Sequence, residues 1–79
     1  MTIEREPTFG EKAVGVSFNP GGNQLVHDIK TAYASLVDNL HAMRELVGDD
    51  QEVTRMLSIA ITEAQTSQMW AVKAVTWQS

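Results

Sequence analysis

Apolar residues recur with helical spacing through the middle of the chain. They fall at alternating steps of four and three, at Ile29, Tyr33, Leu36, Leu40, Met43 and Val47. This heptad stripe predicts one long amphipathic helix. Asn23 is placed to cap its start, and Arg44 lies in its last turns, where the helix dipole favours a cation. Gly48 stands just past its end, where a left-handed residue is least costly, so the helix is expected to stop there.

A second helix is predicted after a short connection. Asp49 or Asp50 is suited to cap it, and Glu52 lies in its first turn. Two long helices joined by about two or three residues must run antiparallel. The pattern therefore predicts an all-α fold, with a long two-helix hairpin over residues 23–79.

The second helix is apolar on more than one face. One heptad series is rich in small residues: Val53, Leu57, Ala60, Ala64, Ser67, Ala71 and Ala74. A second apolar set lies off that series: Met56, Ile59, Ile61, Met69, Trp70, Val72, Val75 and Trp77. A helix that is apolar on several faces must be buried on several faces. Because one hairpin cannot cover them all, we predict a homo-oligomer built on this helix.

The N-terminal segment differs in composition from the hairpin. Residues 1–22 hold both prolines and four of the five glycines, so we expect an arm of irregular or extended structure. The stretch 13–18 suits an extended segment, and residues 19–22, Asn-Pro-Gly-Gly, suit a sharp turn. The whole chain is expected to form a single domain, with this arm and turn preceding the hairpin.

Length and composition explain why association is the expected route to stability. A chain of 79 residues supports one domain with a thin core. Cysteine is absent, which excludes disulfides and thiolate metal sites. His27 and His41 lie two heptads apart on one helix, roughly 21 Å along its axis, too far to share an ion. We therefore expect no metal site.

Charge narrows the classes of partner. Six Lys and Arg against ten Asp and Glu give a net charge of −4, which disfavours binding to polymeric nucleic acid. A small ligand with a few phosphates remains compatible, because one cation per site can neutralise it. Residues near the N-terminus are charged where a signal peptide needs an apolar run, and no stretch is long and apolar enough for a membrane span. The chain is expected to be soluble and cytoplasmic.

Catalysis has little support in the sequence. The serines lack the glycine-framed setting of a nucleophile. Glu52 and Glu63 lie about 16 Å apart along one helix, too far for an acid–base pair. We expect neither enzymatic activity nor a cofactor.

A minimal set of groups for binding a nucleotide appears at the junction of arm and hairpin. Phe18 ends the arm just before the turn, and Lys30 precedes Arg44 as the first cation of the first long helix. An aromatic face stacks on a base, and an ammonium binds a phosphate. The alternative is that Phe18 packs the arm onto the hairpin and Lys30 is solvated. Gly21 and Gly22 also suit a phosphate-binding helix start, although such pairs usually form a turn.

Three polar residues occupy successive turns of the second helix. Arg55, Ser58 and Thr62 share a face and are candidates to line a polar groove. The alternative is that this face is simply solvated.

These residues carry a resemblance to a known family. The matching segments are residues 18–20, Val26, residues 29–30 and 36–38, Arg55, Ser58, residues 60–62 (Ala-Ile-Thr) and residues 69–74 (Met-Trp-Ala-Val-Lys-Ala). Together they resemble the phage anti-CBASS cyclic-nucleotide sponges, which share a helical-hairpin domain with anti-Thoeris sponges. The similarity covers about residues 16–77, and the run at 69–74 is its most specific part.

The resemblance implies an assembly and a ligand class. Members of that family are hexamers, trimers of dimers, that sequester cyclic oligonucleotides without cleaving them. Cyclic dinucleotides lie between protomers against an aromatic residue of the arm and a lysine of the first long helix. By position these are Phe18, followed by Asn19, and Lys30; a Tyr is familiar where Phe18 stands. The resemblance also implies cyclic trinucleotide sites, to which Arg55, Ser58 and Thr62 are assigned.

The resulting prediction is a phage immune-evasion protein that acts in the cytoplasm of the infected bacterial host. It is expected to bind cyclic dinucleotides such as 3′,3′-cyclic GMP-AMP, and also cyclic trinucleotides, and so to block activation of CBASS effectors. Two alternatives stay open. One is an anti-Thoeris sponge for cyclic ADP-ribose signals; the other is a hairpin with a structural or protein-binding role and no ligand.

Overall fold

Three helices are present in the computed structural model, which describes residues 5–78. Helix α1 spans Phe9–Val14, α2 spans Gln24–Leu46 and α3 spans Gln51–Val75; the described part of the chain contains no strand. Helices α2 and α3 run antiparallel, since Tyr33 bonds Ser67 whereas Arg44, later in α2, bonds Ser58, earlier in α3. The prediction of an all-helical hairpin is confirmed.

The ends of the two long helices are set by local capping. The Asn23 side chain accepts the backbone N–H of Val26, and the Asp50 side chain accepts that of Val53, so both predicted N-caps are confirmed. The left-handed conformation expected at Gly48 is wrong, because the positive-φ glycines are Gly15, Gly21 and Gly22. The connection instead closes by a bond from the Asp50 N–H to the Val47 carbonyl at 2.8 Å.

The arm departs from the irregular or extended structure expected of it, because Phe9–Val14 form helix α1. The extended segment expected at 13–18 is also wrong, because α1 continues to Val14 and residues 15–17 form a turn. A capping box starts the helix: Thr8 accepts the backbone N–H of Glu11, and the Glu11 carboxylate accepts that of Thr8. Gly15 then ends the helix in a left-handed conformation, with φ of 63°. The Thr-x-x-Glu spacing was the sequence signal for this short helix.

Glu11 gives the arm a pH dependence. The side-chain bonds from Arg5, at 2.8 and 2.9 Å, and then the Thr8 N–H lower the pKa of Glu11 to about 2. Because this value lies below the ordinary 4.5, the stabilising contribution is fully present above pH 4.5 and is lost as the pH falls toward 2. We expect the Thr8 amide NMR signal to titrate near pH 2. A midpoint near 4.5 would contradict these bonds, and Glu11→Gln, the control, removes the titration.

Helix α1 lies directly on α2, and Gly10 makes this close approach possible. A Cβ at Gly10 would clash with the Ala34 carbonyl oxygen and lie 2.8 Å from its carbon. The Gly10 N–H also donates to Asp38 Oδ1 at 2.6 Å. The arm is therefore attached along the flank of the hairpin.

Gly10→Ala is expected to lift α1 off α2 and lower the free energy of unfolding by about 1–3 kcal/mol, as over-packing does elsewhere. Chemical denaturation measures the change. Gly48→Ala is the matched control, since its nearest neighbour, the Glu45 carbonyl oxygen, is at 3.7 Å. Equal stability of the two variants would mean that α1 is not seated as described.

The buried core is small. Val37 is fully covered and packs with Ile61 and Ala64; Ile61, expected on an outer face, is thus a core residue. Five other residues expected on outer faces of the second helix are 46–67% exposed: Met56, Ile59, Met69 and Trp70 in α3, and Trp77 just beyond its end. The Cα positions extend 45 × 43 × 12 Å, so the helices lie side by side in one layer. A single layer leaves the faces above and below it uncovered.

Between residues 5 and 78 no helix is both long and apolar enough to cross a bilayer. The same residues hold no group of three or more His, Asp or Glu side chains arranged to bind a metal ion.

Candidate ligand-binding site

Lys30 is the centre of the candidate site. Its side chain is buried, with 5% of the residue exposed. The Nζ atom donates to the carbonyl oxygens of Gly15 at 3.0 Å and Phe18 at 2.5 Å. It also lies 5.4 Å from the centroid of the Phe18 ring. One ammonium therefore joins the arm to α2 and faces an aromatic ring.

The backbone of the arm brings both carbonyls to this ammonium. Gly15 reverses the chain at the end of α1, and the Phe18 N–H donates back to the Gly15 carbonyl at 2.9 Å. The resulting turn places the oxygens of Gly15 and Phe18 around one point, which Lys30 reaches from α2. This geometry depends on glycine, because a side chain at Gly15 would be strained at its positive φ.

Asn19 holds the turn between the arm and α2. Its Nδ2 donates to the Asn23 carbonyl at 2.8 Å, and its Oδ1 accepts the Asn23 N–H at 3.2 Å. Gly21 and Gly22 complete the turn with φ of 85° and 64°. The predicted turn at residues 19–22 is confirmed. Its closure sets Phe18 beside the first turns of α2.

A cavity of about 430 Å³ opens at this junction, within the usual size range of small-molecule sites. The arm, the start of α2 and the end of α3 line it: Phe18, Asn19, Pro20, Asn23, Val26, Lys30, Val72, Val75, Thr76, Trp77 and Gln78. The three residues predicted to bind cyclic dinucleotides are thus brought together in one cavity. The contribution of α3 was missed. The antiparallel register was the available signal, because it puts the end of α3 beside the start of α2.

The electrostatics of this cavity are simple. Lys30 is the only charged residue among those that line it. Within residues 5–78 no carboxylate lies within 4 Å of its ammonium, and the carbonyl bonds use two of its three donors. A buried cation without a counter-charge favours an anionic ligand.

The exposures of Phe18 and Lys30 are the reverse of those expected under the alternative interpretation. Lys30 is buried rather than solvated, and Phe18 is 70% exposed rather than packed as an attachment of the arm. The lysine anchors the arm, and the aromatic ring is left free at the mouth of the cavity. A ring with an open face can stack on a planar ligand.

The three polar residues of α3 do not join this site. Arg55 is paired with Glu52 at 2.6 Å, and this hydrogen bond lowers the pKa of Glu52 and raises that of Arg55. Ser58 accepts a bond from Arg44 at 3.0 Å, and Thr62 is exposed. None of the three lines the main cavity. Their assignment to a trinucleotide site stays a prediction.

Arg44, which contacts Ser58, also takes part in a cluster with His41 and Phe9 that the sequence did not predict. Besides Ser58, its guanidinium contacts His41 Nδ1 at 3.0 Å and lies 5.6 Å from the centroid of the Phe9 ring. Phe9 in turn stacks on His41, with centroids 4.1 Å apart. This cluster attaches the start of α1 to the far half of α2.

Comparison with protein families identifies the chain. Searches of curated proteins and of solved structures gave no match. A sequence model of the Acb2/Tad1 hairpin domain matches residues 11–76, which include the turn, all of α2 and α3, and the contacts of Lys30 with Gly15 and Phe18. The resemblance seen in the sequence is thereby confirmed, and the chain belongs to the Acb2/Tad1 hairpin-domain family of anti-CBASS and anti-Thoeris sponges.

Proposed function

We propose that this protein is a sponge for cyclic dinucleotides, with 3′,3′-cyclic GMP-AMP as the reference ligand. It binds them without cleavage and so withholds them from CBASS effectors in the infected bacterial cell. The observation that carries the proposal is the cavity in which the buried, uncompensated ammonium of Lys30 lies beside the exposed ring of Phe18. Phosphate and base are the two groups that such a pair recognises.

The composition of the cavity favours a small, compact anion over a polymer. Lys30 supplies a single positive charge, which suits one phosphate at a time, whereas a long phosphate chain needs several clustered cations. The chain as a whole carries a net charge of −4, which repels a polyanion. Val26, Val72 and Val75 add apolar surface to the lining, and this surface suits the flat faces of bases.

We take the protein to form a homo-hexamer, arranged as a trimer of dimers. This assembly completes the proposed site. The four exposed apolar residues of α3, Met56, Ile59, Met69 and Trp70, and the single-layer shape both call for a covering surface. A second copy of the same helix would cover it. A ligand with two phosphates suits an interface to which each protomer contributes one Lys30 and one Phe18. Such burial also excludes water and strengthens the ammonium–phosphate bond.

The test uses a panel of cyclic nucleotides that includes cyclic dinucleotides, cyclic trinucleotides and cyclic ADP-ribose isomers. The purified protein is incubated with each, separated from free ligand and heated, and the released compound is identified by chromatography. We expect intact cyclic dinucleotide in the released fraction. Recovery of cyclic ADP-ribose isomers alone would indicate an anti-Thoeris sponge, altered ligand would indicate an enzyme, and an empty fraction would favour a structural hairpin.

A further inference from the structure

Trp77 lies just beyond the end of α3, on the cavity that holds Phe18 and Lys30. The residue is 67% exposed. No part of the described chain therefore covers most of its indole. An exposed indole beside an exposed phenyl ring gives the cavity a second aromatic surface.

The end of α3 holds Trp77 in place. The Thr76 hydroxyl and N–H both donate to the Val72 carbonyl, at 2.8 and 3.1 Å, and the Trp77 N–H reaches the Ala74 carbonyl at 3.4 Å. Lys73 Nζ lies 5.9 Å from the Trp77 ring centroid and 5.2 Å from that of Trp70. The ammonium thus contacts both indoles through cation–π interactions. A ring that is anchored on one side and open on another loses little conformational freedom when a ligand stacks on it.

Resting on the proposed function, we propose that Trp77 is a further ligand-contacting residue, which stacks on a base of the bound cyclic dinucleotide. Each base of such a ligand has two faces, whereas the arm of each protomer supplies one aromatic ring, Phe18, to the cavity. The amide of Asn19 is already engaged on both its nitrogen and its oxygen by Asn23. Trp77 adds stacking surface, which tolerates any base because every base has a π-face. The affinity of the site is then shared between the arm and the end of α3.

The two tryptophans of the chain make the proposal directly measurable. Trp70 borders neighbouring surface cavities but not the one that holds Lys30. Trp70→Phe leaves Trp77 as the sole indole fluorophore, and Trp77→Phe leaves Trp70. We expect 3′,3′-cyclic GMP-AMP to change the fluorescence emission of the Trp70→Phe protein. The ligand concentration at half of this change should equal the value that calorimetry gives for the same protein. The reciprocal variant should bind the ligand with little change in emission.

Substitutions of Trp77 measure how much this residue contributes to the binding affinity. Trp77→Leu should weaken binding about tenfold, while Trp77→Phe keeps a stacking ring and should stay within about threefold of the parent. Light scattering verifies that the variants keep the parent mass. If calorimetry shows binding to the parent protein but Trp77 emission does not change and Trp77→Leu keeps the parent affinity, this inference is wrong. The proposed function would still stand. Absence of binding to the parent protein would overturn both.

Discussion

Lys30→Ala is expected to lower the affinity for 3′,3′-cyclic GMP-AMP by at least about tenfold, measured by calorimetry, with the oligomer intact. The ammonium is buried, it has no carboxylate partner in the described chain, and it faces the ring of Phe18. A charge-assisted bond to phosphate is stronger than a neutral one, especially where water is excluded. Lys12→Ala is the matched control, since Lys12 is an exposed cation of α1 that does not line the cavity.

The same ammonium also anchors the arm, so the loss of charge must be separated from the loss of that anchor. Lys30→Gln removes the charge but keeps a neutral side-chain NH2 group that can donate to the Gly15 and Phe18 carbonyls, whereas Lys30→Arg keeps both the charge and the donors. We expect Lys30→Arg to retain more affinity than Lys30→Gln. Unchanged binding by Lys30→Ala would remove this residue from the site.

Trp70→Glu is expected to convert the oligomer into monomers, as measured by light scattering at micromolar concentration. Trp70 is 66% exposed in the single chain, so the fold of one hairpin should tolerate a charge there. Within a subunit interface the same carboxylate would be desolvated, and this cost exceeds what pairing with the neighbouring Lys73 of the same helix would return. Ligand affinity should fall with the assembly, because the proposed site draws groups from two protomers.

Gln51→Glu provides the control for added charge, since this residue lies exposed in the first turn of α3, where the helix dipole favours an anion. It should leave the mass of the oligomer unchanged. A monomeric parent protein, or an oligomer that survives Trp70→Glu, would contradict the assignment of this face to self-association.

The hairpin itself was predictable because its signals are local. Heptad spacing indicated two helices, and Asn23 and Asp50 were recognisable caps. Two features were harder to foresee: Gly48 is not left-handed, and Phe9–Val14 form a helix. A helix of six residues has little stability of its own, and α1 exists because it packs on α2 through the close approach at Gly10.

The candidate site was predictable only in part. Phe18 and Lys30 were recognised from their chemistry and from the family resemblance, but the burial of Lys30 and its two carbonyl contacts depend on the path of the arm. Trp77 was missed as a lining residue because it is distant in sequence from the turn. The antiparallel pairing of α2 and α3 brings it there; the short connection predicted this pairing, but it did not predict which residues at the end of α3 face the cavity.

Native mass spectrometry of the parent protein mixed with 3′,3′-cyclic GMP-AMP tests whether the protein is an oligomeric sponge, since one spectrum reports assembly, occupancy and ligand integrity together. We expect a homo-hexamer that carries the unmodified ligand, whose mass is recovered unchanged when the complex is dissociated. A ligand-free spectrum at ligand concentrations well above that of the protein, or a bound product of altered mass, would contradict it.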